Sequence, residues 1–220
     1  MSYIDILNDP RVIERYNIND AISKDLFNHG LKHVKNVCNI MNDICDVLDI
    51  EPDKKEALMI AASLHDIGLP EGRENHGKKA VHYIVNNIND LIADNKYYNE
   101  ILTAIEFHSD VDGENDTLFT VLLQFADKVD FTKDRLEFNY REKFDYFFTE
   151  AVEKVDFIYD DTNFGIDIIT VGCDDFEDKY LNLEFFSKVT LVVRCMADKL
   201  NRVPVVKNNG IIMSRINFNK

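Results

Sequence analysis

The chain has 220 residues, of which 45% are hydrophobic, 11% aromatic and 30% charged. That is a globular composition with material for one main core, and it excludes disordered and collagen-like architectures. Forty Asp and Glu against 25 Lys and Arg give a net charge of −15, which repels polyanions and argues against a broad nucleic-acid surface.

Met1 to Pro10 carries Asp5 and Asp9 and no cationic start before an apolar run, so no signal peptide is expected. No apolar stretch approaches the roughly 18 residues of a membrane helix. Ile22, Leu26, Val34, Val37, Met41, Ile44 and Leu48 recur at helical spacing, which predicts a first helix over 21–48 with Gly30 as a candidate break. Asp53 followed by Glu56 reads as a capping box. It opens a second helix through Ala57, Leu58, Ile60, Ala61 and Leu64 that Gly68 ends. Further helices are expected over 77–91 and 97–108, then a loop over 109–116, then helices over 118–129 and 136–152. The period then changes. Val155, Phe157 and Tyr159, and later Ile166, Ile168 and Thr170, alternate around Asp160-Asp161-Thr162-Asn163, which predicts a β-hairpin. A last long helix is expected over 176–200, with Val203 to Val206 and Ile211 to Met213 as short terminal strands.

The fold class so read is mainly α. A helical domain over 1–150 is followed by a small α+β extension over 151–220, a hairpin plus a long helix packed on it. Phe157, Tyr159, Phe164, Phe185 and Phe186 are the candidate core of the extension; capping the metal pocket and a homodimer contact are its other expected roles. Cys38, Cys45, Cys173 and Cys195 form no CxxC pair, so neither a disulfide framework nor a thiolate zinc site is expected. A reduced, cytoplasmic setting fits.

The chemistry concentrates in His33, His65, Asp66, His76, His108 and Asp127, which fall on apolar faces or at the ends of these helices. Singly each has an ordinary reading, the histidines as core residues and the acids as caps or ion-pair partners. Together, four buried imidazoles and two buried carboxylates cost several kcal/mol unless compensated. A divalent cation compensates all of them at once. Imidazole with carboxylate suits Fe, Mn, Zn, Co or Ni better than Ca.

The run Ser63-Leu64-His65-Asp66-Ile67-Gly68 resembles the signature of the HD superfamily of metal-dependent phosphohydrolases. His29 to Val37 resembles that superfamily's first-histidine helix, and Phe125-Ala126-Asp127-Lys128 its final aspartate. The resemblance covers about residues 20–135 and implies an HD-type helical bundle. It also implies His33, His65, Asp66 and Asp127 as core metal ligands, with Asp66 and His65 catalytic. His76 and His108 sit where binuclear members supply ligands to a second metal, with Asp66 as the bridge. In the other reading there is one metal, and these two histidines line the substrate pocket. His29 is expected at the pocket mouth in a supporting or surface role rather than as a ligand, and His82 in a structural one.

The implied cofactors are one or two divalent transition-metal ions. Fe or Mn is favoured; Zn, Ni, Co or Mg is also compatible. The implied partner is a small anionic phosphorylated substrate, a nucleotide or another small molecule, whose phosphate ester or anhydride is cleaved by metal-bound hydroxide. A bound divalent metal brings the pKa of water from about 15.7 towards about 7. Lys78, Lys79, Lys128 and Arg73 are candidate phosphate contacts, with ordinary surface cations as the plainer reading. Asp66 or Glu71 is a candidate proton relay. A di-iron oxygenase on the same scaffold and a metal-bearing regulatory or binding module with little turnover are the alternatives. The order of the histidines and aspartates is similar to the branch that cleaves diadenosine tetraphosphate. This chain departs from that branch in the short gap from Asp66 to His76 and in its hairpin extension.

Overall fold

Ala57 to Leu64 reads Ala-Leu-Met-Ile-Ala-Ala-Ser-Leu, which leaves no polar face, and a helix so built has to be enclosed. In the computed structural model, which describes residues 1–22, 29–110, 117–135 and 150–218, all eight are buried. They belong to the first of two compact units, which reaches to Asp127; the second runs from Lys128. The described helices of the first unit are α1 (Tyr3–Leu7), α2 (Pro10–Ile22), α3 (Leu31–Val47), α4 (Pro52–Leu64), α5 (His76–Tyr83), α6 (Tyr98–Phe107) and α7 (Leu118–Lys128). The enclosed α4 packs against α1, α3 and α6, and α5 packs against α6. On α3, Val34, Val37, Cys38, Met41, Ile44 and Cys45 form the buried stripe, and His33 shares it.

Several boundaries differ from the sequence expectation. The helix expected over 21–48 is interrupted: α2 ends at Ile22, and α3 starts after an extended Gly30 at its N-cap. The helices α1 and α2 were not foreseen. Ser2 and Asp5 form a reciprocal capping box on α1, and Asp9 Oδ1 accepts from the Arg11 amide beside Pro10 at the head of α2. The Asp53–Glu56 box does not form. Glu51 caps α4 instead, accepting from the Asp53 and Lys54 amides, with Pro52 in the first position, while Glu56 accepts from the Tyr3 amide. That helix ends at Leu64, not Gly68. The stretch expected as one helix over 77–91 is α only to Tyr83, then a π turn (Ile84–Ile88) and a 3₁₀ turn (Asn89–Leu91). Asn86 and Asn87 donate back to the carbonyls of His82 and Tyr83, a competition that disturbs the helical ladder. The helix expected over 136–152 and most of the loop over 109–116 lie outside the described residues; Val152 already belongs to a strand.

The second unit holds a four-stranded sheet of order β1 (Val152–Tyr159), β2 (Asn163–Thr170), β3 (Val203–Asn208) and β4 (Ile211–Ile212). The expected hairpin is the antiparallel β1–β2 pair, with Phe157 opposite Ile166. Its turn is tied by Asp160 Oδ1, which accepts from the Thr162 and Asn163 amides. The terminal strands extend this hairpin: β3 runs parallel to β2, and β4 antiparallel to β3. The connection from β2 to β3 contains two helices rather than one. The run splits at Asn182-Leu183 into α8 (Phe176–Leu181) and α9 (Glu184–Lys199), and Asn182 donates its side-chain amide to the Asp178 carbonyl. The core of this unit forms around Phe164, Phe176, Tyr180 and Phe186, with Tyr180 and Phe186 stacked at 4.2 Å between ring centroids. Tyr159, expected in that core, is exposed, and Phe157 and Phe185 are half-buried. No helix among the described residues is long and apolar enough to cross a membrane.

Candidate metal centre

Five helices of the first unit, α3 to α7, and the turn after α4 deliver the parts of a single cluster. His33 lies in the first turn of α3. His65 is the C-cap of α4, and Asp66 follows it in the turn. His76 opens α5, His108 is the C-cap of α6, and Asp127 lies near the end of α7. Two glycines allow the close approach. A Cβ on Gly68 would stand 2.3 Å from the Ala80 nitrogen and 2.4 Å from the His76 carbonyl oxygen, so the turn after Asp66 can touch α5 only without one. A Cβ on Gly77 would stand 2.3 Å from the Glu106 oxygen, so α5 can close on the end of α6 only at glycine. His76 and His108 meet as a result.

The donor atoms fall into two groups joined by one carboxylate. In the first, His33 Nε2 lies 3.3 Å from His65 Nε2 and 3.2 Å from Asp127 Oδ1. Asp66 Oδ2 lies 3.6 Å from His33 Nε2 and 3.3 Å from His65 Nε2. In the second, His76 Nε2 and His108 Nε2 are 2.9 Å apart, and Asp66 Oδ1 lies 3.4 and 3.5 Å from them. Ligands held at about 2.0–2.2 Å from one ion stand roughly 3–3.5 Å from each other, so both groups have suitable spacing. His33, His65 and Asp127, and likewise His65, Asp66 and His108, are sets that could hold a metal ion.

The histidines are oriented for ligation by their second nitrogens. Nδ1–H of His65 donates to the Ala62 carbonyl at 2.9 Å, that of His76 to the Arg73 carbonyl at 2.9 Å, and that of His108 to the Ile105 carbonyl at 2.7 Å. A carbonyl can only accept, so the proton sits on Nδ1 and the Nε2 lone pair faces inward. Two such lone pairs at 2.9 Å, on His76 and His108, repel unless a positive charge lies beside them. Burial, with the neighbouring His76 and His65, pushes the pKa of His108 down to about 4 against its hydrogen bond to Asp66, which keeps the ligating neutral form. Burial is also the largest influence on Asp66 and opposes its charge. The surrounding imidazoles outweigh it and hold the carboxyl well below the usual carboxylate range. In the reverse sense, burial lowers His65, but Asp66, Asp127 and the Ala62 carbonyl raise it more, so a proton and a metal ion compete for the same Nε2. Two carboxylates facing nitrogen lone pairs make a donor set of net negative charge, and it fits a divalent N/O-ligated metal.

The candidate cations divide. Arg73 is exposed, but its Nη2 reaches His29 Nε2 at 2.8 Å, and His29 Nδ1 reaches Asp66 Oδ2 at 3.0 Å. Lys79 is half-buried and donates to the Gly72 carbonyl. Lys78 and His82 are exposed on α5, and Lys128 is half-buried after Asp127. Glu71 is exposed and paired with Arg15 at 3.1 Å. Sequence reasoning missed three residues of α2 that hold the turn carrying His65 and Asp66. The Tyr16 hydroxyl donates to the Ser63 carbonyl at 2.8 Å, Arg15 Nε to Ile67 at 3.1 Å and Asn19 Nδ2 to Asp66 at 3.0 Å. They satisfy carbonyls that the end of α4 leaves open. Asp9-Pro10 followed by Val12 and Tyr16 was the available signal.

A protein-family model described as HD domain matches residues 30–132. No curated protein matches the chain. The matched span includes His33, His65, Asp66, His76, His108 and Asp127, and begins after α2.

Proposed function

From the premise that the chain belongs, through residues 30–132, to the HD superfamily of metal-dependent phosphohydrolases, we propose a binuclear enzyme that hydrolyses the phosphate ester or anhydride of a nucleotide or similar small molecule. The observation that carries the reading is the Asp66 carboxylate, with Oδ2 beside His33 and His65 and Oδ1 beside His76 and His108. His33, His65, Asp127 and Asp66 Oδ2 would hold one ion; His76, His108 and Asp66 Oδ1 would hold the other. Bound divalent ions, iron or manganese for this donor set, lower the pKa of water towards about 7 and neutralise charge developing on a phosphoryl oxygen.

The residues themselves do the rest. His65 and Asp66 act by fixing where the reacting groups sit. The buried walls from α4 and α7 keep bulk water off the cluster. Arg73 and Lys79 bring positive charge to an otherwise acidic chain, and Lys78 stands in the first turn of α5, where open backbone N–H groups favour an anion. None of the four cysteines is in a disulfide, which suits a reducing, cytoplasmic setting.

The test combines elemental analysis of freshly purified protein with a phosphatase screen over nucleotides, cyclic nucleotides and dinucleoside polyphosphates. Near two transition-metal ions per chain, with metal-dependent phosphate release, is expected. A chain that takes up no divalent metal refutes the reading.

A further inference from the structure

We propose that His29 is a positioning residue that locks the Asp66 carboxylate in its bridging orientation, and that Asn19 and Arg73 hold His29 in that role. This rests on the binuclear reading above. His29 lies just outside the matched HD domain, and from the sequence it has only an unspecified supporting or surface role at the pocket mouth. Its ring makes two contacts of opposite sense. Arg73 Nη2 lies 2.8 Å from Nε2, and Asp66 Oδ2 lies 3.0 Å from Nδ1. A guanidinium has only donors and keeps its charge, so Nε2 must accept. The proton of the imidazole is therefore on Nδ1, and Nδ1–H donates to Asp66. With Nδ1 donating and Nε2 covered by Arg73, neither nitrogen of His29 has a lone pair for a metal, although His29, His33 and Asp66 lie close enough to one another to be counted as a ligand set. The geometry makes His29 the group that aims Oδ2 rather than a ligand.

The backbone is fixed to match. One side-chain amide, Asn19 Nδ2 on α2, donates to the Asp66 carbonyl at 3.0 Å and to the His29 carbonyl at 3.3 Å. It ties the two residues together from behind. Asn19 is fully buried, and its Oδ1 has no partner among the described residues. A buried, half-satisfied amide is costly, and here it is retained at the point where its two donors fix this pair. Arg73 serves both halves of the cluster, since its side chain caps His29 while its carbonyl accepts from His76 Nδ1.

The experiment is calorimetric titration of metal-free protein with manganese(II), on wild type, His29→Ala, His29→Asn and Arg73→Ala, with circular dichroism as the check of fold. Loss of a residue that orients a ligand weakens metal binding about 10–100-fold. His29→Ala is expected to lose that much affinity while still taking two equivalents. His29→Asn, whose amide nitrogen takes the place of Nδ1, is expected to recover most of it; a residue needed only for packing would not be rescued in this way. Arg73→Ala, which leaves the His76 contact to the backbone in place, should fall between wild type and His29→Ala. It carries the test if alanine at 29 unfolds the chain, and unchanged affinity in Arg73→Ala then overturns the proposal. If wild type binds two ions and His29→Ala binds them equally tightly, His29 positions nothing. If His29→Ala loses a whole equivalent and asparagine restores none, His29 is a ligand and the positioning role fails. Failure of wild type to bind manganese would instead strike the binuclear reading itself.

Discussion

Replacing Gly77 with alanine places a methyl carbon 2.3 Å from the Glu106 carbonyl oxygen and 2.7 Å from that of Ile105. Both oxygens are backbone atoms at the end of α6, so no side chain can swing aside. Relief requires α5 and α6 to part by about 1 Å, an overpacking that typically costs about 1–3 kcal/mol. For a chain of this size that corresponds to a Tm lower by roughly 2–12 °C. The consequence for the cluster is larger than for the fold. His76 is the residue before Gly77, and its Nε2 lies 2.9 Å from that of His108 at the end of α6. Metal–ligand distances tolerate only about ±0.2 Å, so the pair no longer closes on one ion. His33, His65 and Asp127 come from α3, α4 and α7 and stay in place. Elemental analysis beside a thermal melt reads both effects: metal content falls from near two to near one, with the folded chain retained. Two ions per chain with an unchanged Tm would refute the reasoning that glycine is there to bring these histidines together.

Asp66→Ala removes a carboxylate whose two oxygens face the two groups of donors, so metal content should fall to near zero; full retention by elemental analysis would count against the site. His108→Ala should bring the metal count from near two to near one, and an unchanged count would defeat the binuclear reading. The Thr162 and Asn163 amides hold the Asp160 carboxyl below its ordinary value of 3.8, so it stabilises the hairpin above that pH and ceases to as pH falls through the lower folded value. A carboxyl NMR titration should give a midpoint below 3.8, and one at or above it would contradict the turn geometry. Phe186→Ala empties a buried site against Tyr180 and Phe131 and should cost about 3–5 kcal/mol in urea unfolding; a loss under about 1 kcal/mol would show that these rings do not form the core of the second unit.

The parts of the fold legible in the sequence were those whose signal is local. Ala57 to Leu64 announces an enclosed helix by composition alone, and the hairpin shows its period of two on either side of a polar turn. The helix α2 was missed because its buried face is Val12, Tyr16 and Asn19, only two of them apolar. The role of Asn19 lies in a hydrogen bond to a carbonyl 47 positions away, which no spacing rule reaches. The parallel pairing of β2 with β3 depends on a connection through α8 and α9, so the terminal strands were visible while their neighbours were not. Within the cluster, the resemblance singled out the histidines and aspartates by residue type. The Nε2 atoms of His65, His76 and His108 are turned inward by the carbonyls of Ala62, Arg73 and Ile105, each three residues upstream; every residue carries a backbone carbonyl, so residue type does not mark the contact.

Crystals of the chain grown with manganese(II) and measured at an X-ray energy where manganese scatters anomalously would test the central claim directly. Two anomalous peaks are predicted, one among His33, His65 and Asp127 and one between His76 and His108, with an Asp66 oxygen turned to each. Manganese bound only at surface carboxylates, with no peak among these histidines, would contradict the account.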